Sequence, residues 1–198
     1  NNGSGLLKFT SAFTKAGGSL LLGLGGTGNG EIVQGLPVFD KGLTKSGAGT
    51  WTLDGASSYT GATTVSGGCL VLKHATALPG GIGPASAGSS ALVFNGGVIG
   101  LGIGDFTRPL GAASNTNAVN FTGNGGWAAY GADRLVNLGG ASAQIVWATA
   151  GTGFNAKTLI LGAATATNTV DLQNPLDLGN AVRTLMVDNG TAAIDGKL

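Results

Sequence analysis

GLTKSGAGTWTLDGASSYTGATTVSGGCLVL, residues 42–72, packs strand, turn, strand, turn and strand into one glycine-punctuated cassette. Trp51 and Leu53 alternate with Thr50, Thr52 and Asp54. A two-residue period puts the large apolar groups on one face and the small polar groups on the other, which predicts a half-buried strand. Asp54-Gly55 ends it, Thr63 to Ser66 supplies a second β-branched run, Gly67-Gly68 breaks the chain again, and Cys69 to Leu72 opens a third extended segment. No helix fits between breaks this closely spaced.

Outward from the cassette the same grammar continues. Leu6 to Phe9, Ser19 to Leu24 and Glu31 to Gln34 precede it; Ala91 to Phe94, Val98 to Leu101, Val119 to Phe121 and Trp127 to Tyr130 follow a looser Pro79 to Ser90 region. Leu135 to Leu138, Gln144 to Trp147, Thr158 to Leu161, Thr169 to Leu172, Arg183 to Val187 and Ala193 to Ile194 complete about sixteen short strands bounded by Gly, Asn or Asp, a spacing that signals all-β structure. Composition agrees. Glycine supplies 39 of 198 residues, against roughly 7% in an ordinary protein, and charged residues are 10% against roughly 25%. With 42% hydrophobic residues and a net charge of +1 the chain is not of disordered type and can bury a core. Glycine has no three-residue period, which excludes collagen.

Two all-β solutions compete, a sandwich or barrel and a solenoid of stacked parallel rungs. Abundant glycine suits the corners of tight coils. The turn dipeptides Asn29-Gly30, Asn95-Gly96, Asn124-Gly125 and Asn189-Gly190 also suit two-residue hairpins, so they leave antiparallel pairing open.

Lys45, Gly47, Gly49, Thr50, Leu53, Gly55, Tyr59, Gly61, Thr63, Val65, Gly68, Leu70 and Leu72 fall in order on a pattern of Lys, two glycines, Thr, a Leu strand, Gly, a Tyr-x-Gly turn, Thr-x-Val, and Gly before a last Leu-rich strand. In this the cassette resembles the autotransporter-associated β-strand repeat, or passenger-associated repeat, of large bacterial surface proteins. Cys69 stands where Thr is expected, and Asp54 where Ser is commoner. The run from GDFTRPL (104–110) to GWAAYGADRLVNLGG (126–140) is similar to the segment that follows such a repeat in some surface proteins. The resemblance implies a right-handed parallel β-helix, elongated, at an extracellular or bacterial cell-surface, outer-membrane-associated location.

As a solenoid, residues 1–198 are expected to form one segment of a longer chain, with 42–72 as its repeat cassette. Rungs of about 20 to 25 residues stacked roughly 4.8 Å apart give eight to ten rungs over about 40 to 50 Å. Alternate apolar positions place Leu53, Val65, Leu70, Leu72, Leu92, Phe94, Val119, Phe121, Leu159 and Leu161 in the stacked interior. Their outward neighbours are mostly Thr, Ser, Asn or Gly. The chain has no initiator Met, no signal-peptide pattern and no apolar run near 18 residues, and reads as an excised piece without a membrane span. A single cysteine excludes an internal disulfide framework.

Chemistry is sparse. Gly23-Leu24-Gly25-Gly26-Thr27-Gly28 satisfies G-x-G-x-x-G, but dinucleotide binding needs a helix to begin there and Asn29-Gly30 follows instead. Gly100 to Asp105 hints at a calcium roll without its spacing or a second copy. His74 is the only histidine, so any triad must use it, and it reads as a surface residue after a strand. Cys69 reads as a small buried hydrophobe. Asp171 with Asp177, and Asp188 with Asp195, are the acid pairs a polysaccharide lyase or hydrolase would need, whereas Asx turns explain Asp54, Asp188 and Asp195. Trp51, Trp127, Tyr130 and Trp147 would form a carbohydrate platform only if exposed. The ten basic residues are dispersed, against nucleic-acid binding. The expectation is a non-catalytic structural segment with no cofactor and no metal site, acting as stalk, surface layer or head-to-tail fibre. Its partners are neighbouring rungs or further copies. An adhesin that binds surface glycans is the alternative, and a β-helix enzyme the third.

Overall fold

The computed structural model describes residues 3–83, 90–112, 117–147, 154–155 and 158–198, and every regular element among them is a strand. In chain order these are β1 (Leu7–Phe9), β2 (Leu22–Leu24), β3 (Gly30–Ile32), β4 (Leu43–Lys45), β5 (Thr50–Leu53), β6 (Thr63–Val65), β7 (Cys69–Leu72), β8 (Leu92–Phe94) and β9 (Val98–Leu101). Then follow β10 (Val119–Phe121), β11 (Gly125–Ala129), β12 (Arg134–Val136), β13 (Ile145–Val146), β14 (Thr158–Gly162), β15 (Val170–Leu172), β16 (Leu176–Asp177), β17 (Thr184–Asp188) and β18 (Gly196–Lys197).

Their pairing is that of a parallel solenoid. One sheet runs β1-β3-β5-β7-β9-β11-β14-β17 and a second runs β10-β8-β6-β4-β2, so up to β11 the chain alternates between the two. Beyond β11 it visits the first sheet, then a third (β12-β15-β18), then a fourth (β13-β16). Every pairing between named strands is parallel. A parallel step between adjacent strands requires a crossover, and here each crossover is a whole coil. The hairpin reading of the Asn-Gly turns fails for that reason.

A single register line crosses the first sheet through Leu7, Gly30, Trp51, Leu70, Ile99, Trp127, Leu161 and Val187. Successive coils along this line take from 19 residues (Trp51 to Leu70) to 34 (Trp127 to Leu161). The expected 20 to 25 holds only near the cassette. Eight rungs span roughly 34 Å between the first and last strand, the lower end of the expected number and less than the expected length.

All ten residues assigned to the interior from sequence lie in the buried column: Leu53, Val65, Leu70, Leu72, Leu92, Phe94, Val119, Phe121, Leu159 and Leu161. Aromatic rings fill the interior along the column, from Phe39 stacked on Tyr59 in the early coils to a larger cluster in the longer, later ones. Phe94 stacks on Phe121 at 4.6 Å between centroids, Trp127 meets Phe94 edge-on at 5.1 Å, and Phe154 bridges Phe121 and Trp147 at 5.0 and 5.3 Å. Each buried large apolar group contributes about 1.5–3 kcal/mol relative to exposure.

Several sequence expectations need correction. The cassette holds four strands, because Leu43-Thr44-Lys45 is extended with Leu43 and Lys45 inward. Leu176–Asp177 is a strand that the sequence pattern did not show, and the last strand is Gly196–Lys197 rather than Ala193 to Ile194. The outward row is also not polar throughout. Thr44, Thr50, Thr52 and Thr64 are half-buried outward groups, but from Cys69 onward the outer face of the first sheet carries Cys69, Val71, Val98, Ala128 and Ile160, all buried beneath Ala163, Ala166 and Tyr130.

Candidate functional site

Of the residues that sequence singles out for chemistry, Asp188 and Asp195 both come up beside Gly162, and His74 and Cys69 have separate partners. His74 is exposed, its Nδ1 3.2 Å from the Thr76 N–H and 3.1 Å from Thr76 Oγ1. Cys69 lies on the outer side of β7 with its sulfur 3.3 Å from Tyr130 Oη, and burial pushes its thiol up to about 11. At neutral pH it is therefore a thiol and a poor nucleophile. The G-x-G-x-x-G run 23–28 leaves β2 through a turn and enters β3, so no helix N-terminus faces it.

Glu31 pairs with Lys8 Nζ at 3.0 Å, and five aspartates accept from backbone N–H groups. Asp105 Oδ1 accepts from Leu135 N at 2.8 Å and Asp133 Oδ1 from Thr169 N at 2.9 Å, each bracing one rung to the next. Asp177 Oδ1 accepts from Gly179 N two residues on, an Asx turn, whereas Asp195 Oδ1 accepts from Gly190 N five residues before it and closes a local loop instead of the expected Asx turn. Asp40 accepts from Ser19 Oγ at 2.6 Å, from Leu20 N at 3.0 Å and from Lys15 Nζ at 3.5 Å. The Ser19 hydroxyl first, and the Leu20 N–H second, hold its carboxyl well below the usual range. Among the described residues no three His, Cys, Asp or Glu side chains gather as metal ligands. The condition for an aromatic platform is not met: Trp51 fills the core, as its place on the apolar face implies, Trp127 and Trp147 are buried too, and of the four Tyr130 alone is partly exposed.

Two interior cations form what sequence reasoning missed. Lys45 occupies the inward row of the second sheet, in register with Leu24 and Val65, and is fully covered. Its Nζ donates to Ser46 O, Gly47 O and Gly67 O, each at 2.9 Å. Desolvation lowers its pKa to about 8, opposed by the nearby Cys69. Arg108 forks onto Gly81 O (2.6 Å), Ser90 O (2.7 Å) and Pro79 O (2.8 Å), and desolvation brings it down to about 10. Both act as staples for carbonyls that turn inward at coil corners. The alternation in Leu43-Thr44-Lys45 carried the signal for Lys45; nothing local carried it for Arg108.

Outside, a trough of about 320 Å³ runs along the rod beside the first sheet, lined by Thr27, Asn29, Thr50, Thr165, Met186 and Asp188 among others. Three threonines, Asn29 and Asp188 supply its polar side chains, and its lining is otherwise Gly, Ala and apolar residues, Cys69, Val98 and Ile160 of the outer-face cluster among them.

Comparison with known proteins fits this geometry. Residues 43–72 match the family model described as passenger-associated-transport-repeat, the stretch whose glycine and leucine framework sequence singles out. A relative, the adhesin BmaC autotransporter of Brucella suis biovar 1 (strain 1330), is 39% identical over 124 residues, covering 54% of this chain. The chain spans about 4% of that relative's length. No solved structure matches. Repeat and relative together imply a cell-surface or extracellular passenger segment.

Proposed function

We propose that this chain is a non-catalytic stalk segment of a surface passenger, in which stacked rungs set reach and rigidity, and that further rungs continue its column. The observation that carries this reading is the register of the terminal strands. Leu185 and Val187 stand on Leu159 and Leu161 yet are 49% and 57% exposed, and at the other edge Leu7 stands on Gly30 and is 41% exposed. These inward-column residues have a neighbour on one side only, and apolar side chains with unpaired strand backbone favour a continuing rung. A rung of the same chain satisfies them; so does another copy, stacked head-to-tail as an open filament. Light scattering and electron microscopy of the isolated segment test the reading. Concentration-dependent rods or end-to-end assembly are expected. A monomer at all concentrations, whose Leu185→Lys variant is no less prone to associate, overturns it.

The adhesive reading is supported by the name of the relative and by the outer trough, in which Thr27, Thr50, Thr165, Asn29 and Asp188 are the polar groups. A glycan array tests it, with Thr50→Trp as the blocking variant.

A further inference from the structure

The outer face of the first sheet is covered in an unusual way. Val71, Gly100 and Ala128 are register neighbours on that face. A Cβ at Gly100 would come within 2.6 Å of Tyr130 Cε2 and 2.8 Å of Val71 Cγ2, so the absent side chain leaves the notch in which the Tyr130 ring lies. From there Tyr130 Oη reaches Cys69 Sγ at 3.3 Å and Thr165 Oγ1 at 2.7 Å, and Thr165 Oγ1 is 3.1 Å from Thr50 Oγ1. Thr50 and Thr165 are 115 residues apart and belong to rungs separated by β7, β9 and β11. Residues 163–168 therefore cross the face obliquely, with Ala163 and Ala166 packed in the cluster of Cys69, Val71, Val98, Ala128 and Ile160.

We propose that residues 163–168 form a strap that opens as a unit while the column stays folded, and that Cys69 beneath it is a gated thiol, reached by disulfides and alkylating agents only when the strap lifts. The two layers are held differently. Removing a rung breaks a parallel ladder and exposes Leu, Phe and Trp side chains. Lifting the strap separates two alanines from the sheet, breaks hydroxyl–hydroxyl bonds, releases Thr167 N and Asn168 N from Ala129 O, and also breaks the bonds of Gly131 N to Thr167 Oγ1 and of Thr191 N to Ala166 O, the latter a tie between the strap and the following coil. Ala164, Thr165 and Thr167 are exposed, so water replaces those partners at once. Segments with few buried contacts and solvent-reached hydrogen bonds open at lower free energy than the fold. Burial under the strap also keeps the thiol protonated.

The test is the rate at which the aromatic disulfide DTNB labels the intact chain at fixed pH. The Cys69 thiolate attacks the reagent's S–S bond, a mixed disulfide forms, and thionitrobenzoate leaves with the electron pair. In native protein the rate is expected to fall at least about ten-fold below that of the urea-unfolded chain. Thr165→Val and Tyr130→Phe, which each remove one hydroxyl, should raise it roughly five-fold. Gly100→Ala should raise it further by displacing the ring. The circular-dichroism melt of Thr165→Val should stay near that of the parent, and the urea dependence of labelling should be shallower than that of global unfolding. Labelling as fast as in the unfolded chain, rates unchanged in both hydroxyl variants, or a urea slope equal to that of global unfolding would each overturn the strap.

Discussion

Lys45 Nζ and Gly67 O lie 2.9 Å apart although 22 residues of chain separate them, and the bond ties the corner of one coil to the corner of the next. The same ammonium holds Ser46 O and Gly47 O, so one side chain satisfies three carbonyls that point into the rod.

Lys45→Met keeps the aliphatic stem and removes the donors. Orphaned buried carbonyls cost about 1–3 kcal/mol each before relaxation, and we expect a net loss of about 2–4 kcal/mol in urea denaturation. A loss below about 0.5 kcal/mol would mean that water replaces the ammonium.

Gly68 has φ +60°, and a Cβ there would stand 2.4 Å from Gly49 O and 2.8 Å from Lys45 Nζ. Gly68→Ala combines a left-handed backbone with backbone collision. It should destabilise by at least about 2 kcal/mol, measured by thermal melt.

Leu53→Asp or Leu70→Asp puts an unpaired carboxylate into the column, where both leucines are fully buried. Loss of more than about 4 kcal/mol, or failure to fold, is expected. Thr52→Asp, on the half-buried outward side, should cost much less. Equal thermal shifts would reverse the assigned faces.

Cys69 gives a pH signature. Its folded pKa, raised from 9.0 to about 11, means the folded chain keeps a proton that the unfolded chain releases between those values. Its contribution is thus fully present below pH 9 and lost as pH rises toward 11, up to about 2–3 kcal/mol. Tyr130 and Lys45 are the titratable groups acting on it. The stability difference between parent and Cys69→Ala, followed by urea titration from pH 8 to 11, should shrink along that window; a flat difference would contradict it.

Much of the architecture was legible because it rests on period-two alternation. Trp51-Thr52-Leu53, Thr63-Thr64-Val65 and Leu92-Val93-Phe94 state their inward faces locally, and the glycine framework of residues 45–72 identified the repeat. What was hidden depends on distant partners. Lys45 hides inside an apolar row because its charge is answered by the carbonyls of Ser46 and Gly47 at its own corner and of Gly67 one coil away, and Arg108 by those of Pro79, Gly81 and Ser90. Trp127 and Trp147 lie inside in the longer, later coils, a property of coil length rather than of any motif, whereas the inward place of Trp51 follows from its own alternation. The apolar outer face appeared polar from sequence because its cover comes from residues 163–166, about a hundred positions after Cys69.

Coil length also bears on how the rod is built. Partners in the strand ladders are 19 to 36 residues apart, the extremes being β5 with β7 and β12 with β15. Closing a loop of 36 rather than 19 residues costs only about 0.6 kcal/mol more in chain entropy. Winding can thus proceed from one coil to the next, each new strand templated on its predecessor, without a distant segment having to arrive first. The Cys69–Tyr130 and Thr50–Thr165 contacts break this rule, spanning 61 and 115 residues. The first can form only after β11 and the second only after β14 has been laid down, which makes the final fastening across the outer face a late event in the assembly of the rod.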